Sequence, residues 1–291
     1  MGNALPDTAA EVRDFLRVRR SRLRPADIGL PTFGGTRKVP GLRREEVALV
    51  AGISVEYYTR MERGDLTGVS DSVLAAIAEA LRLGTSEAAY LVALARGQDS
   101  RPNPFPNAVD AFPRDKILQL LDAITAPAWI QNHAFDILAA NPMARSVHQG
   151  MFASPAQPPN PIRFLFLDPN APEYSLSFEE QTIRLSALTR MLSARRRSDP
   201  AVTRLITELR EGSAEFRAQW LTHDVAGRLN AIVGVRHPTV GPLTLDFEVL
   251  PFPHHADVLL NVQTAPAGSP TAARLARLAT QIADDDVARL T

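Results

Sequence analysis

The chain is 291 residues long, 45% apolar and 22% charged, and its 32 basic and 32 acidic residues leave a formal net charge of zero. That length accommodates two domains, and the composition is that of a folded chain and not a disordered one. The absence of cysteine excludes disulfides, cysteine-ligated zinc and a cysteine nucleophile, and the overall charge balance by itself points to no anionic partner.

The charge is unevenly placed. Residues 1–44 carry ten Lys/Arg against four Asp/Glu, a local excess of six, so the remainder is net acidic. A basic end suits phosphate contact, although Lys38 and Lys116 are the only lysines and a general preference for arginine explains part of the pattern. Met1–Pro6 shows no basic-then-apolar targeting pattern. The longest uncharged run, Ser146–Ile162, holds four prolines and cannot span a bilayer. The expectation is a cytoplasmic protein with no membrane partner.

In chain order, residues 9–23 read as a helix with Val12, Phe15, Leu16 and Leu23 on one face and arginines on the others. A Pro/Gly-rich link runs from Pro25 to Gly41. Short helical patterns follow at 42–50, 54–63, 70–83 and 86–96, the second opened by Ser54 as N-cap and closed by Gly64. Five short helices make a small all-α domain over residues 1–97. Residues 98–113, with prolines at 102, 104, 106 and 113, read as an interdomain linker. Residues 114–285 then mix types. A helix at 114–125 precedes strand-like runs at 128–131 and 137–140, and Asn141-Pro142 opens another helix. Helices are expected at 178–196, 201–211 and 213–221, strands at 229–236, 243–250 and 258–263, and a last helix at 271–283. Strands flanking a helical middle predict an α+β domain with an antiparallel sheet.

The most informative stretch is Arg43 to Gly64. Two helices of under three turns must cross steeply through a tight turn. This requires a small residue at the closest approach, Ala48, and a glycine where φ turns positive, Gly52. Ile53, Tyr58 and Met61 then face inward, leaving Val55, Glu56, Tyr57, Thr59 and Arg60 outward. In a helix-turn-helix that outward side enters the major groove.

These residues resemble the lambda-repressor-like (XRE) helix-turn-helix family. The phrases Phe15-Leu16-Arg17-Val18-Arg19-Arg20, Gly29-Leu30-Pro31 and Val39-Pro40-Gly41-Leu42 extend the resemblance to the subgroup with a C-terminal MmyB-like (MltR-like) ligand-binding domain. Asn141-Pro142, Phe164–Pro169, Ser213–Trp220, His223-Asp224-Val225, His237–Leu243 and Pro266–Pro270 are similar to that second domain. The resemblance implies a multidomain protein, an all-α helix-turn-helix domain followed by an α+β PAS-like sensor. It also implies a transcription regulator whose DNA affinity responds to a small hydrophobic, fatty-acid-like or acidic ligand. The expected partners are double-stranded DNA, as an inverted-repeat operator, and a second copy of the chain.

The candidate DNA-binding residues are Arg37, Lys38, Arg43, Arg44, Ser54, Val55, Glu56, Tyr57, Thr59 and Arg60. Arg43 and Arg44 open the first motif helix, where guanidinium and helix dipole both favour phosphate. Arg60 suits a guanine or a phosphate, Tyr57 a phosphate or a thymine methyl, and Glu56 a cytosine amine. Glu62 is read as an internal ion-pair partner. The Arg13–Arg24 run either follows the DNA backbone or solvates its helix. In the second domain Trp129, Phe164, Trp220 and Phe247 are candidate pocket walls, and Arg163, Arg184, His223 and His237 candidate receptors for an acidic head group. Such aromatics equally form ordinary core. His254-His255 reads as surface loop and not as a metal site, since neighbours on extended backbone point oppositely. No nucleophile elbow, dinucleotide fingerprint or phosphate loop occurs. Neither an enzyme nor a cofactor is expected. The alternative to a ligand sensor is a second domain serving only dimerisation or a protein partner.

Overall fold

A computed structural model describes residues 7–30, 41–96, 114–226, 231–252 and 255–290. The chain divides into two compact units. The first comprises Met1–Ser100, Ser186–Thr207 and Arg217–Gly227, the second Arg101–Leu185, Glu208–Phe216 and Arg228–Thr291. The expected linker, 98–113, lies outside the described residues.

The first unit is helical. α1 (Thr8–Arg22) leads through a 3-10 turn (Pro25–Ile28) to α2 (Arg44–Ala51), α3 (Val55–Glu62), α4 (Asp71–Ala80) and α5 (Thr85–Arg96). Asp7, Ser54 and Ser70 cap α1, α3 and α4 by accepting from first-turn backbone N–H groups, which fixes where these helices begin. Phe15, Leu16, Val47, Tyr58, Met61, Ile77 and Leu91 meet in one core. Burying each such side chain contributes about 1.5–3 kcal/mol. The sequence shows this apolar periodicity plainly. It does not show that Met191 and Ala194, far along the chain, join the same core. They belong to α11 (Phe178–Arg195), whose residues from Ser186 onward count with the first unit. The first part of α12 (Pro200–Gly212), through Thr207, and the last part of α13 (Ala214–Leu221), from Arg217, also count with the first unit.

This unit also holds a buried charge cluster. Arg190, 1% exposed, donates from Nη1 to Glu11 Oε2 at 2.7 Å, and the same oxygen accepts from Tyr90 Oη at 2.9 Å. Arg190 further donates to the Trp220 carbonyl and lies 4.1 Å from that indole ring. Neither of the two expectations for the Arg13–Arg24 run fits its middle. Arg19 is buried, 2.9 Å from Glu87 Oε1, and donates to the His223 carbonyl at 2.8 Å; Arg22 pairs with Asp224 at 2.9 Å. A guanidinium beside a carboxylate within its own unit has a nearer partner than DNA.

The second unit is built on an antiparallel sheet of order β2-β1-β5-β4-β3, from β1 (Ala128–Asn132), β2 (Ile137–Ala140), β3 (Ala231–His237), β4 (Gly241–Phe252) and β5 (His255–Thr264). This is the PAS-like α+β arrangement expected. α6 (Arg114–Asp122) presses Ile117 and Leu121 onto Ala128, Ile130, Val258 and Leu260 on one face. The period of two places Trp129, Gln131, Asn261 and Gln263 on the other. Helices α7 (Pro142–Val147), α8 (Gln149–Ala153), α9 (Pro161–Leu167), α10 (Ala171–Tyr174) and α14 (Pro270–Leu290) supply side chains to that second face. α8, α9 and α10 are additions to the sequence reading. Each is at most seven residues long, too short for a 3.6-residue period to register beside so many prolines.

Asn141 locks α7 to the sheet. Its Oδ1 accepts from Ala128 N at 3.1 Å and Ala144 N at 2.8 Å, while Nδ2 donates to the Ile124 and Ala126 carbonyls, both at 2.8 Å. Every polar atom of this buried amide has a partner, which explains why an Asn-Pro pair stands there.

Candidate nucleic-acid interface

The α2–α3 pair is set by its turn. Gly52 closes α2 at φ 66°, and the Ile53 amide donates to the Ala48 carbonyl at 3.0 Å. Ser54 Oγ then accepts from Tyr57 N at 3.0 Å and starts α3. Tyr58 and Met61 are fully buried, so α3 can present only its opposite side, where Glu56 and Arg60 are exposed and Val55, Tyr57 and Thr59 half-buried. That side forms an open depression of about 470 Å³ lined by Val55, Glu56, Thr59, Arg60, Arg63 and Asp65. The Arg60 guanidinium stacks 4.8 Å from the Tyr57 ring centre, with its Nε 3.9 Å from Asp65 Oδ2. Asp65 is itself fixed, its carboxylate accepting from Thr67 N at 2.9 Å, a bond that holds its pKa below the usual range.

The basic groups beside α3 are organised by one buried acid. Glu62, with its side chain 1% exposed, accepts at Oε1 from Arg20 Nε and Nη2 at 2.9 and 2.7 Å, and at Oε2 from Arg44 Nε. Arg20 is then used up, donating also to the Leu42 carbonyl at 2.6 Å. Arg44 is different: nearly half of its side chain is exposed, and the hydrogen bond to Glu62 raises its pKa, so it stands at the start of α2 as a fixed cation. Its neighbour Arg43 donates its backbone N–H to Glu46 Oε2 at 2.6 Å and keeps its side chain in solvent.

In the second unit, Trp129, Phe164 and Phe247 pack in one cluster with Met151, and the Trp129 and Phe247 ring centres are 5.6 Å apart. Against them lies His148, fully buried. Its Nδ1 is 2.6 Å from Tyr174 Oη and its Nε2 2.7 Å from Gln263 Oε1, and burial pushes its pKa down to about 4. Trp129 Nε1 donates to Gln131 Oε1 at 2.9 Å.

Residues 113–278, more than half of the chain, match the family described as MmyB-like transcription regulator ligand binding domain. The chain belongs to this family. Residues 11–91 of the regulator match a helix-turn-helix domain, the stretch that contains α2 and α3. No curated protein matches it. It is thus a DNA-binding transcription regulator that carries a ligand-binding domain, and neither matched family is enzymatic. No described helix of the regulator is long and apolar enough to cross a membrane, and no cluster of metal-ligating side chains occurs among the described residues. His254 lies outside those residues.

The sequence-predicted residues fall unevenly. Arg43, Arg44, Ser54, Val55, Glu56, Tyr57, Thr59 and Arg60 come together around the α2–α3 pair, while Arg37 and Lys38 lie outside the described residues. Arg63 and Asp65 join that surface although the sequence reading passed over them. The ligand candidates do not form one group. Trp129, Phe164 and Phe247 are neighbours, whereas Trp220 and His223 belong to the first unit, around Arg190 and Arg19. Burial, and then the Arg190 charge, lower the His223 pKa. Arg163 is engaged by Asp136 at 3.2 Å and Glu208 at 2.9 Å. Burial lowers the Arg184 pKa against the opposing charge of Glu180. His237 Nε2 approaches the Ser146 carbonyl at 3.1 Å, and burial lowers its pKa as well. His148, Tyr174, Gln131, Asn261 and Gln263 escaped the sequence reading. The available clue was a polar residue at alternate positions, Asn261 and Gln263, in the otherwise apolar run Val258–Gln263.

Proposed function

We propose that the regulator binds an inverted-repeat operator as a homodimer, with the exposed side of α3 along the base edges of each half-site. A small hydrophobic or acidic ligand in the second domain changes its affinity for that operator. The observation that carries this reading is the pairing of a fully buried Tyr58 and Met61 with an exposed Glu56 and Arg60 on one eight-residue helix. Arg44 and Arg43, at the N-terminus of α2, are suited to grip the phosphate backbone and fix the register in which α3 reads. Val55 and Thr59 offer methyl groups to thymine, Arg60 two donors to guanine, and Glu56 an acceptor to cytosine. Ligand control requires only that the ligand bind the DNA-competent and incompetent forms with different affinity. Among the sequence candidates the reading centres on Trp129, Phe164 and Phe247, the three that pack together.

The test is fluorescence anisotropy of the purified chain on the DNA upstream of its own gene, measured across a salt series. The expected result is specific binding that weakens steeply with salt, because each phosphate neutralised releases counterions. Binding that ignores both salt and the simultaneous substitution of Tyr57 and Arg60 by alanine would remove the basis for the reading.

A further inference from the structure

We infer that the ligand of the second unit is electrically neutral and donates a hydrogen bond to Asn261 Oδ1, in place of offering a carboxylate to an arginine. This rests on the reading that the second domain takes a small hydrophobic molecule, and it specifies the chemistry of that molecule.

The first observation is where the buried charges are. Among the described residues, the buried charged side chains are Glu11, Arg19, Glu62 and Arg190, and all four belong to the first unit. The buried polar side chains of the second unit are amides, hydroxyls and imidazoles, with no Arg, Lys, Asp or Glu among them. Arg163 and Arg184, the half-buried arginines expected to receive an acidic head group, already face Asp136 and Glu208, and Glu180. An anion entering this interior would shed its water and meet no fixed cation, which is strongly unfavourable.

The second observation is Asn261. It is 0% exposed, and its Oδ1 has no hydrogen-bond partner among the described residues. Its Nδ2 lies 3.5 Å from the Leu259 carbonyl, an atom that only accepts, so the amide is oriented with the oxygen as the free end. A buried carbonyl oxygen left unpaired is costly, and an N–H or O–H from a ligand removes that cost. Asn261 sits directly across the sheet from Trp129 on β1 and from Val249 on β4, so apolar surface borders the free oxygen on both sides. Two residues on, Gln263 pairs with Phe247 across the strands and accepts at Oε1 from His148 Nε2. With that nitrogen donating, Nδ1 accepts from Tyr174 Oη and the imidazole is neutral. Tyr174, His148 and Gln263 therefore satisfy one another, and Asn261 alone in this strip retains an acceptor for something else. The fitting class is an apolar chain or ring bearing an amide or hydroxyl.

The test uses two probes of the same chain length, octanamide and octanoate, titrated calorimetrically into the full-length wild-type chain at pH 8 and into Asn261→Leu. The amide has N–H donors and no charge; the carboxylate has a charge and only acceptors. Octanamide is expected to bind wild type at least about tenfold more tightly than octanoate, and Asn261→Leu to erase that preference while leaving the chain folded. Tighter binding of octanoate overturns the inference while leaving a hydrophobic-ligand domain intact. An amide preference that survives in Asn261→Leu overturns the role of Asn261. Failure of both probes to bind wild type counts against the inference and against the small-ligand reading beneath it. The wild-type comparison stands even where the variant does not fold.

Discussion

Two glycines at the ends of the reading pair separate backbone strain from steric exclusion. Gly52 and Gly64 both have positive φ, 66° and 105°. A Cβ built on Gly52 meets nothing within 4 Å, whereas one on Gly64 lies 2.3 Å from Ala9 O and 2.5 Å from Ala9 Cα, both backbone atoms of α1. Gly52→Ala therefore carries the left-handed strain alone, about 1–2 kcal/mol, reduced by about 0.4–1 kcal/mol because the unfolded chain is also restricted. Gly64→Ala carries the same strain plus an overlap that no rotamer relieves. The end of α3 and the start of α1 must separate, adding about 1–3 kcal/mol or more. Hydrogen exchange of the amides at 55–62 reads this locally, independent of the second unit's stability. The expectation is protection lowered by about 1 kcal/mol in Gly52→Ala and by about 2–4 kcal/mol in Gly64→Ala. Operator affinity should fall further in the second. Equal loss in both variants, or an undisturbed Gly64→Ala, would refute the claim that α1 seats the reading helix through this contact.

Other expectations follow from the same geometry. Arg190→Met leaves Glu11 buried and uncompensated and should destabilise the first unit by about 3–5 kcal/mol; Glu11→Gln combined with Arg190→Met should recover part of that loss, as chemical denaturation of each variant can check. Arg44→Ala, at a position assigned to phosphate, should weaken binding uniformly across DNA sequences and lower the salt slope by about one. His148 has its pKa lowered by burial from 6.5 to about 4, so the unfolded chain binds its proton first. Stability from this group is complete above pH 6.5, declines as pH falls towards 4 and is flat below, a loss of up to about 3 kcal/mol. Urea midpoints measured at pH 7 and pH 4.5 should differ more in wild type than in His148→Gln.

Much of this architecture was legible in the sequence because it rests on local rules. Ser54 and Ser70 announce helix starts, Gly52 and Gly64 announce ends, and the apolar spacing of Val12, Phe15 and Leu16 announces a buried face. The alternation Leu243, Leu245, Phe247 marked β4 in the same way. What was hidden depends on contacts distant in the chain. Nothing near Glu11 indicates that its partner is Arg190, and nothing near Arg19 and Arg22 indicates Asp224, so the run of arginines reads equally as a DNA-backbone edge or a solvated helix face. The compact units likewise do not follow the chain, since residues 186–207 and 217–227 lie within the ligand-binding family match yet count with the helix-turn-helix unit. Of the ligand candidates suggested by the family resemblance, Arg163 has Asp136 and Glu208 beside it, and His223, whose backbone carbonyl accepts from Arg19, counts with the first unit, neighbours that only the fold supplies. The polar strip of Gln131, Asn261 and Gln263 needed the strand register before its members shared a face.

The central claim is that the exposed side of α3 reads base edges, and selection of bound sequences from random duplex DNA tests it most directly. Wild type should enrich two inverted half-sites about one helical turn apart. Arg60→Ala should relax the choice at one position in each half-site while the rest of the consensus persists. An unchanged consensus from Arg60→Ala and from Glu56→Ala alike would show that another surface does the reading.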